Sequence, residues 1–179
     1  MTDLQEKITT KVGIPRDKAP EPPLGADPII FGDRYYSQEF ASNEWDRMWT
    51  RVWQIAGRVD QIPSTGDYIS YEIMHESIIC VRGEDSRIRA FYNACQHRGN
   101  QLVTAEMGSL ASGEFQCAYH GWRFSTSGEC TWAYCEDDIP QGSPCGKANL
   151  VEIPCDTWAG FIWFNMDPEC ISLRDSLEP

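Results

Sequence analysis

The sequence predicts a mainly β protein, an antiparallel β-sandwich or barrel preceded by one amphipathic helix and a Pro-rich arm. Three patterns predict this fold class. Five prolines lie within the first 28 residues, helical spacing of apolar residues follows, and short apolar runs divided by turn residues fill the rest. The 179 residues are 41% hydrophobic and 12% aromatic, which is enough apolar material to form a core.

The first 34 residues are predicted to form an extended arm. Proline restricts φ and removes a backbone donor, so a segment with five prolines and scattered apolar residues favours no regular element. Two interpretations of this arm stay open. It is either a mobile terminus or a strap on a neighbouring subunit.

An amphipathic helix is predicted over residues 37–52. Ser37 is placed as its N-cap, and one stripe of apolar side chains includes Trp45, Met48 and Trp49. A stripe at this spacing usually packs on a core, so we expect these side chains to face the β domain rather than to form an aromatic cofactor site.

Seven strands are predicted within a β domain over residues 54–170. Each break between them falls at a cluster of residues that favour turns, such as Gly, Pro, Ser and Asp. The predicted strands are Gln54–Val59, Tyr68–Ile73, Ile78–Arg82, Ile88–Asn93, Glu114–Cys117, Leu150–Ile153 and Phe161–Asn165.

The charge balance narrows the range of partners. With 15 Lys+Arg against 27 Asp+Glu, the net charge of −12 disfavours a nucleic-acid partner, because few groups could neutralise phosphates. No apolar run approaches the roughly 18 residues that span a bilayer, and residues 1–10 do not resemble a signal peptide. We therefore expect a cytoplasmic protein with no membrane contact and with reduced cysteines.

Two short motifs pair a thiol with an imidazole, and each follows a predicted strand. They are Cys95-Gln96-His97-Arg98-Gly99 and Cys117-Ala118-Tyr119-His120-Gly121-Trp122. Four such ligands could hold one tetrahedral zinc ion or divide between the two irons of a [2Fe–2S] cluster. The mixture of one Cys and one His in each motif favours the cluster, and we expect Gly99 and Gly121 to allow close approach of the backbone.

These motifs resemble the Rieske [2Fe–2S] motif of the α subunits of Rieske non-haem iron oxygenases, the aromatic-ring-hydroxylating enzymes. The resemblance covers residues 35–179 and implies a Rieske-type fold with two cluster-binding loops and one [2Fe–2S] cluster per chain. It also implies that Cys95 and Cys117 hold one iron and that His97 and His120 hold the other. The residues implied to surround the cluster are Arg98, Gly99, Tyr119, Gly121 and Trp122.

The same resemblance implies a function. Electrons would come from a ferredoxin or flavin reductase and pass to a mononuclear Fe(II) that activates O₂ for hydroxylation of an aromatic or related substrate. That Fe(II) would lie in a catalytic domain, which we expect to be absent from this chain, and neighbouring α subunits would form a trimer. Two alternatives stay open, a freestanding Rieske-type ferredoxin and a zinc-stabilised binding module.

The histidine count limits what the chain can do alone. The sequence has three histidines, and if His97 and His120 hold the cluster, only His75 remains. A mononuclear iron site of two histidines and one carboxylate then lacks a ligand, which predicts electron transfer only. The other six cysteines are expected to be packing residues or free thiols rather than a second metal site. They are Cys80, Cys130, Cys135, Cys145, Cys155 and Cys170.

Overall fold

The structure is a computed structural model that describes residues 35–178, so the predicted arm of residues 1–34 lies outside the described residues. Eleven short strands make up most of the regular structure in this part of the chain. They are β1 (Gln54–Arg58), β2 (Asp67–Ile73), β3 (Glu76–Arg82), β4 (Ile88–Tyr92), β5 (Met107–Ser109), β6 (Glu114–Gln116), β7 (Arg123–Ser125), β8 (Cys130–Trp132), β9 (Glu152–Ile153), β10 (Cys155–Trp158) and β11 (Phe161–Phe164).

The strands form three antiparallel sheets. The largest has the order β5-β2-β3-β4-β9, and the two others have the orders β1-β11-β10 and β6-β7-β8. Every strand pair in the described residues is antiparallel, which confirms the predicted mainly β, antiparallel class. None of these sheets closes on itself, so the barrel form of the prediction is wrong.

The five-stranded sheet is buried on both faces. In β3, Ile78 and Cys80 belong to one core with Ile162 of β11, whereas Ile79 and Val81 belong to a second core. Successive residues of a strand point to opposite faces, so a strand between two cores is apolar throughout. This is why four consecutive residues of β3 are buried and why its sequence does not alternate between apolar and polar residues.

The second core contains the cysteines of the two motifs. It contains Cys95 and Cys117 together with side chains from β3, β4, β6 and β7. Phe91, Phe115 and Phe124 are fully buried there. The two motif cysteines are therefore anchored in the layer between the five-stranded sheet and the β6-β7-β8 sheet.

The helical segment is shorter than predicted. An α-helix, α1, covers Gln38–Glu44, and a π-helical turn over Trp45–Trp49 replaces the rest of the predicted 37–52 helix. Ser37 accepts a hydrogen bond from the backbone N–H of Phe40 at 3.2 Å, which confirms the predicted N-cap. None of the residues in either segment is fully buried, but Trp45 of the stripe is partly buried and packs against the core that contains Ile162.

A second helix and four strands were not predicted. The helix is α2 (Leu173–Leu177), and the missed strands are β5, β7, β8 and β10. All seven predicted strands are present with shifted ends, by up to two residues at the start of β3 and of β9. Three of the missed strands have only three residues, which is too short for a period-2 pattern to be recognised. Among the described residues, no helix is long and apolar enough to cross a membrane.

Gly128 tests how tightly the second core is packed. Its φ is +86°, and a Cβ added there would lie 2.6 Å from Cε1 of the buried Phe91. Gly113 has a similar φ of +73°, but an added Cβ would meet no atom within 4 Å. We predict that Gly128→Ala lowers the free energy of unfolding by about 1–3 kcal/mol more than Gly113→Ala, because only the former overpacks the core. Urea denaturation of both variants measures the difference, and equal losses would contradict the packing argument.

Candidate metal centre

The two motifs form loops that are closed by the same pair of backbone hydrogen bonds. In the first loop, the N–H of Cys95 donates to the carbonyl of Asn100 at 2.9 Å, and the N–H of Gly99 donates to the carbonyl of Cys95 at 2.8 Å. In the second, Cys117 donates to Trp122 at 2.8 Å and Gly121 donates to Cys117 at 2.9 Å. The loops are thus built alike, with a glycine four residues and a closing residue five residues after each cysteine.

The two cysteines point inward. Cys95 is 2% exposed and Cys117 is 3% exposed, and their side chains interact with each other. Burial raises the pKa of the Cys95 thiol, whereas hydrogen bonds from the backbone N–H groups of His97 and Arg98 act in the opposite direction. N–H donors aimed at a buried sulfur suit a thiolate that binds a metal ion, because they stabilise its negative charge.

The two histidines lie on the outer side of the same loops. The imidazole rings of His97 and His120 have centroids 4.7 Å apart. His97 is exposed and also stacks on the buried Trp122 indole, with 4.7 Å between centroids and 6° between planes. Partial desolvation lowers the pKa of His97, and the neighbouring His120 and Arg98 lower it further, which favours the neutral imidazole that a metal ligand requires.

The loop glycines have a backbone conformation that favours glycine. Gly99 has φ +71° and Gly121 has φ +74°, a backbone region that other residues rarely adopt. A Cβ added at Gly99 would meet no protein atom within 4 Å, so crowding by the chain is not the cause there. At Gly121, a Cβ would lie 3.3 Å from the Trp132 ring, so the chain itself also crowds the glycine of the second loop.

Sequence analysis missed the residue that anchors the first loop. Asn93 is 3% exposed and lies two residues before Cys95. Its Oδ1 accepts hydrogen bonds from the N–H groups of Leu102 and Val103 at 2.8 and 3.1 Å, and its Nδ2 donates to the Val103 carbonyl at 2.7 Å. One side chain therefore joins the chain entering the loop to the chain leaving it. The sequence signal that could have identified Asn93 is its position as a polar residue at the end of an apolar strand, just before the motif.

An aromatic and basic surface surrounds the histidines. We call it the rim, and it consists of Arg98, Tyr119, Arg123, Trp132 and Tyr134. Arg98 lies over the Tyr119 ring at 5.8 Å, and Arg123 lies over the Trp132 ring at 5.3 Å. Tyr119 also contacts His120, with 3.8 Å between ring centroids. The three aromatic side chains of the rim are 41–66% exposed.

The remaining histidine and cysteines do not form a second metal site within the described residues. His75 lies in the turn between β2 and β3, where its ring contacts Trp45 at 4.5 Å and its side chain is 65% exposed. Across residues 35–178, no three or more His, Cys, Asp or Glu side chains are placed to hold one ion. The motif residues come together as a pair of cysteines and a pair of histidines, and a cluster with two protein ligands on each iron requires only such pairs.

Comparison with known proteins identifies the class. Residues 52–143 match the family model of the Rieske [2Fe-2S] domain. The chain is 36% identical over 146 residues to the carnitine monooxygenase oxygenase subunit of Escherichia coli (strain K12), covering 80% of this chain and 38% of that protein. It is 36% identical over 150 residues to the large oxygenase component of the naphthalene 1,2-dioxygenase system of Pseudomonas aeruginosa, covering 82% of this chain and 32% of that protein.

Solved structures agree with these matches. The apo form of the quaternary ammonium Rieske monooxygenase CntA superposes with a TM-score of 0.75 at 28% identity, over 81% of this chain and 41% of that one. A naphthalene 1,2-dioxygenase variant bound to phenanthrene gives 0.73 at 32% identity, over 80% of this chain and 32% of that one. The chain thus spans about a third to two fifths of the length of these relatives.

The antiparallel sheets and the match to the family model define the class, a Rieske-type iron–sulfur domain. The chain belongs to the Rieske [2Fe-2S] domain family, whose members bind a [2Fe–2S] cluster. Within that family, it corresponds to the Rieske region of oxygenase α subunits such as those of carnitine monooxygenase and naphthalene dioxygenase.

Substitution of Asn93 tests its role as the anchor of the first loop. Asn93→Ala leaves two backbone N–H groups without their acceptor, one of them buried, so we expect a loss of about 2–4 kcal/mol in the free energy of unfolding. We also expect a lower iron content, because the first loop loses its anchor. Asn100→Ala is the matched control, since the Asn100 side chain bonds only the neighbouring Gln101 carbonyl among the described residues. Urea denaturation and iron analysis measure both effects, and a full iron content in Asn93→Ala would contradict the anchoring role.

Proposed function

We propose that Cys95 and Cys117 hold one iron of the [2Fe–2S] cluster and that His97 and His120 hold the other. One observation carries this assignment. Two loops with the same backbone closure direct both thiols into the core and both imidazoles outward, with His97 exposed and His120 half-buried. An asymmetric arrangement of this kind suits a cluster with a buried thiolate side and an accessible imidazole side.

The chain's own residues prepare this site for electron transfer. Phe115 and Phe124 exclude water from the cysteine side, and the N–H groups of His97 and Arg98 stabilise the Cys95 sulfur. Trp122 holds the His97 ring by stacking, which fixes the orientation of the imidazole that reaches solvent. When bound, the cluster supplies one-electron redox chemistry, at about −150 to +300 mV in Rieske centres.

We further propose that the rim is the docking surface for the electron-transfer partner, a protein with an acidic contact face. The chain has a net charge of −12, yet its rim presents Arg98 and Arg123, and neither forms an ion pair with a side chain that the structure describes. Exposed Tyr, Trp and Arg are the residue types enriched at protein interfaces. A ferredoxin or flavin reductase is the proposed donor. A solved quaternary ammonium Rieske monooxygenase is described in terms of inter-subunit electron transfer.

The whole protein is proposed to be the terminal component of a Rieske oxygenase. In this proposal, residues 1–34 form an arm and residues 35–179 form the Rieske domain. The domain passes electrons to a mononuclear Fe(II) in a catalytic domain outside this chain, with neighbouring α subunits in a trimer. The substrate is an aromatic or related organic molecule. The relatives support this range, since their names specify carnitine, naphthalene, 2-aminobenzenesulfonate and methanesulfonate.

Ligand substitutions test the cluster assignment. Cys95→Ser or Cys117→Ser should abolish the cluster, because a hydroxyl is a poor ligand for these irons. His97→Cys should retain a cluster whose potential falls toward the value of about −400 mV typical of four-thiolate ferredoxins. Cys135→Ser, at an exposed cysteine outside the loops, is the matched control. Iron and sulfide analysis with a redox titration gives the result, and a His97→Cys protein with two irons and an unchanged potential would overturn the assignment.

The rate at which a small anionic reagent oxidises the protein tests the positive charge of the rim. The reduced protein should be oxidised by anionic ferricyanide more slowly as ionic strength rises, because the rim attracts the anion although the chain is acidic overall. Arg123→Gln should lower the rate about threefold at low salt. Arg87→Gln makes the same charge change. Arg87 lies just before β4, whereas the first loop follows the other end of that strand, so this variant should leave the rate unaltered. Stopped-flow absorbance measures the rates, and an equal fall in both variants would contradict a local rim effect.

The 179-residue chain by itself should not oxygenate any substrate. Once His97 and His120 serve the cluster, His75 is the one histidine left in the sequence, and a two-histidine, one-carboxylate iron site lacks a ligand. The assay supplies Fe(II), a reductase, O₂, a panel of arenes and carnitine, and it compares product with a catalase-treated control. Enzyme-dependent product that survives catalase, together with a third iron by metal analysis, would disprove this limit.

A further inference from the structure

A pair of cysteines that the cluster does not use lies beside the metal centre. Cys130 is the first residue of β8 and is 1% exposed, in the same core as Cys95 and Cys117. Cys145 is half-buried and packs against that core from the segment between Asp138 and β9. The two thiols interact with each other. Both cysteines are free thiols in the structure.

The backbone holds these two positions together. The N–H of Gly146 donates to the carbonyl of Cys130 at 3.0 Å, so the residue after Cys145 is tied directly to β8. Asn149 accepts a hydrogen bond from the N–H of Cys130 at 3.0 Å, which fixes the same segment at a second point. These two hydrogen bonds therefore hold the segment with Cys145 next to Cys130.

Cys145 also has a polar partner, which positions its thiol. Its Sγ donates to Oε2 of Glu136 at 3.3 Å, and Ser143 donates to the same carboxylate oxygen. Cys145 belongs to none of the strands of the described residues, whereas Cys80 and Cys155, which also interact with each other, lie on β3 and β10 in two different sheets. A half-buried thiol outside the strands, with a second thiol behind it, is placed to form a disulfide.

We propose that Cys130 and Cys145 are a modification site, a dithiol that low-molecular-weight disulfides such as glutathione disulfide convert reversibly into an intrachain disulfide. In the first step, the Cys145 thiol releases its proton to solvent, its Sγ attacks one sulfur of glutathione disulfide, and one glutathione leaves and takes up a proton from solvent. In the second step, Sγ of Cys130 releases its proton and bonds to Sγ of Cys145, and the second glutathione leaves as a thiol. Two cysteine thiols are oxidised, and one glutathione disulfide is reduced to two glutathione molecules.

The order of attack follows from exposure, because Cys145 is half-buried whereas Cys130 is 1% exposed. The cross-link acts on the strand that carries part of the rim, since Trp132 lies two residues after Cys130. It therefore ties the segment that contains Cys145 covalently to the strand beside the second cluster loop. This proposal does not depend on which residues hold the cluster.

Peptide mapping of the cluster-loaded protein tests the proposal. The protein is incubated without O₂ with glutathione disulfide, its free thiols are blocked with iodoacetamide, and it is digested without reduction for mass spectrometry. We expect a peptide pair joined through Cys130 and Cys145 that is lighter by two hydrogen atoms than the separate thiol peptides and that dithiothreitol separates. Cys135, which is exposed, should carry glutathione alone.

Two variants make the result specific. Cys145→Ser should abolish the bridged peptide, whereas Cys155→Ser, the matched control in the other interacting pair, should leave its yield unchanged. The wild-type map does not depend on how the variants fold, and the visible spectrum of the cluster verifies that each variant is native. The proposal is overturned if Cys130 and Cys145 are both recovered as alkylated thiols, if glutathione remains on Cys145 without transfer, or if Cys155→Ser also abolishes the bridge.

Discussion

The closure of two loops by the same pair of backbone hydrogen bonds is the constraint on which the metal centre depends. Each closure begins at a cysteine whose side chain is buried in the core and passes through a glycine with positive φ. Between these two points the chain has to turn outward, which carries His97 and His120 to the surface. Burial of the thiols and exposure of the imidazoles are thus two results of one loop geometry, and the proposed division of ligands between two irons follows from it.

The surrounding sheets make this geometry rigid. The five-stranded sheet separates two cores, and only the core that it shares with the β6-β7-β8 sheet contains the motif cysteines. Asn93 joins the ends of the first loop, and Trp122 closes the second loop while it supports the His97 ring of the first. The loops therefore stabilise each other across the site, which suits an electron-transfer centre whose ligands should not rearrange between redox states.

Sequence patterns predicted the structural features that depend on one residue type or on a short stretch of chain. Seven of the eleven strands and the Ser37 cap were predictable, because each depends on a local pattern. The two motifs with the candidate ligands also lie side by side, as expected. The role of Asn93 was not, since its partners Leu102 and Val103 lie nine and ten residues further along the chain. The helix over residues 37–52 failed at Trp45, where the backbone becomes π-helical and Thr50 donates to the Trp45 carbonyl. The positive φ of Gly99 was not predicted either, because positive φ and close backbone approach cannot be separated in a sequence.

Mössbauer spectroscopy of the protein grown with ⁵⁷Fe tests the central claim most directly, because it resolves each iron by its ligands. The account predicts two irons per chain with two distinct sites of equal area, one with thiolate ligands and one with imidazole ligands, and on reduction only the imidazole site should change to ferrous parameters. Two equivalent irons, or a colourless protein with one zinc ion and no iron, would contradict the account.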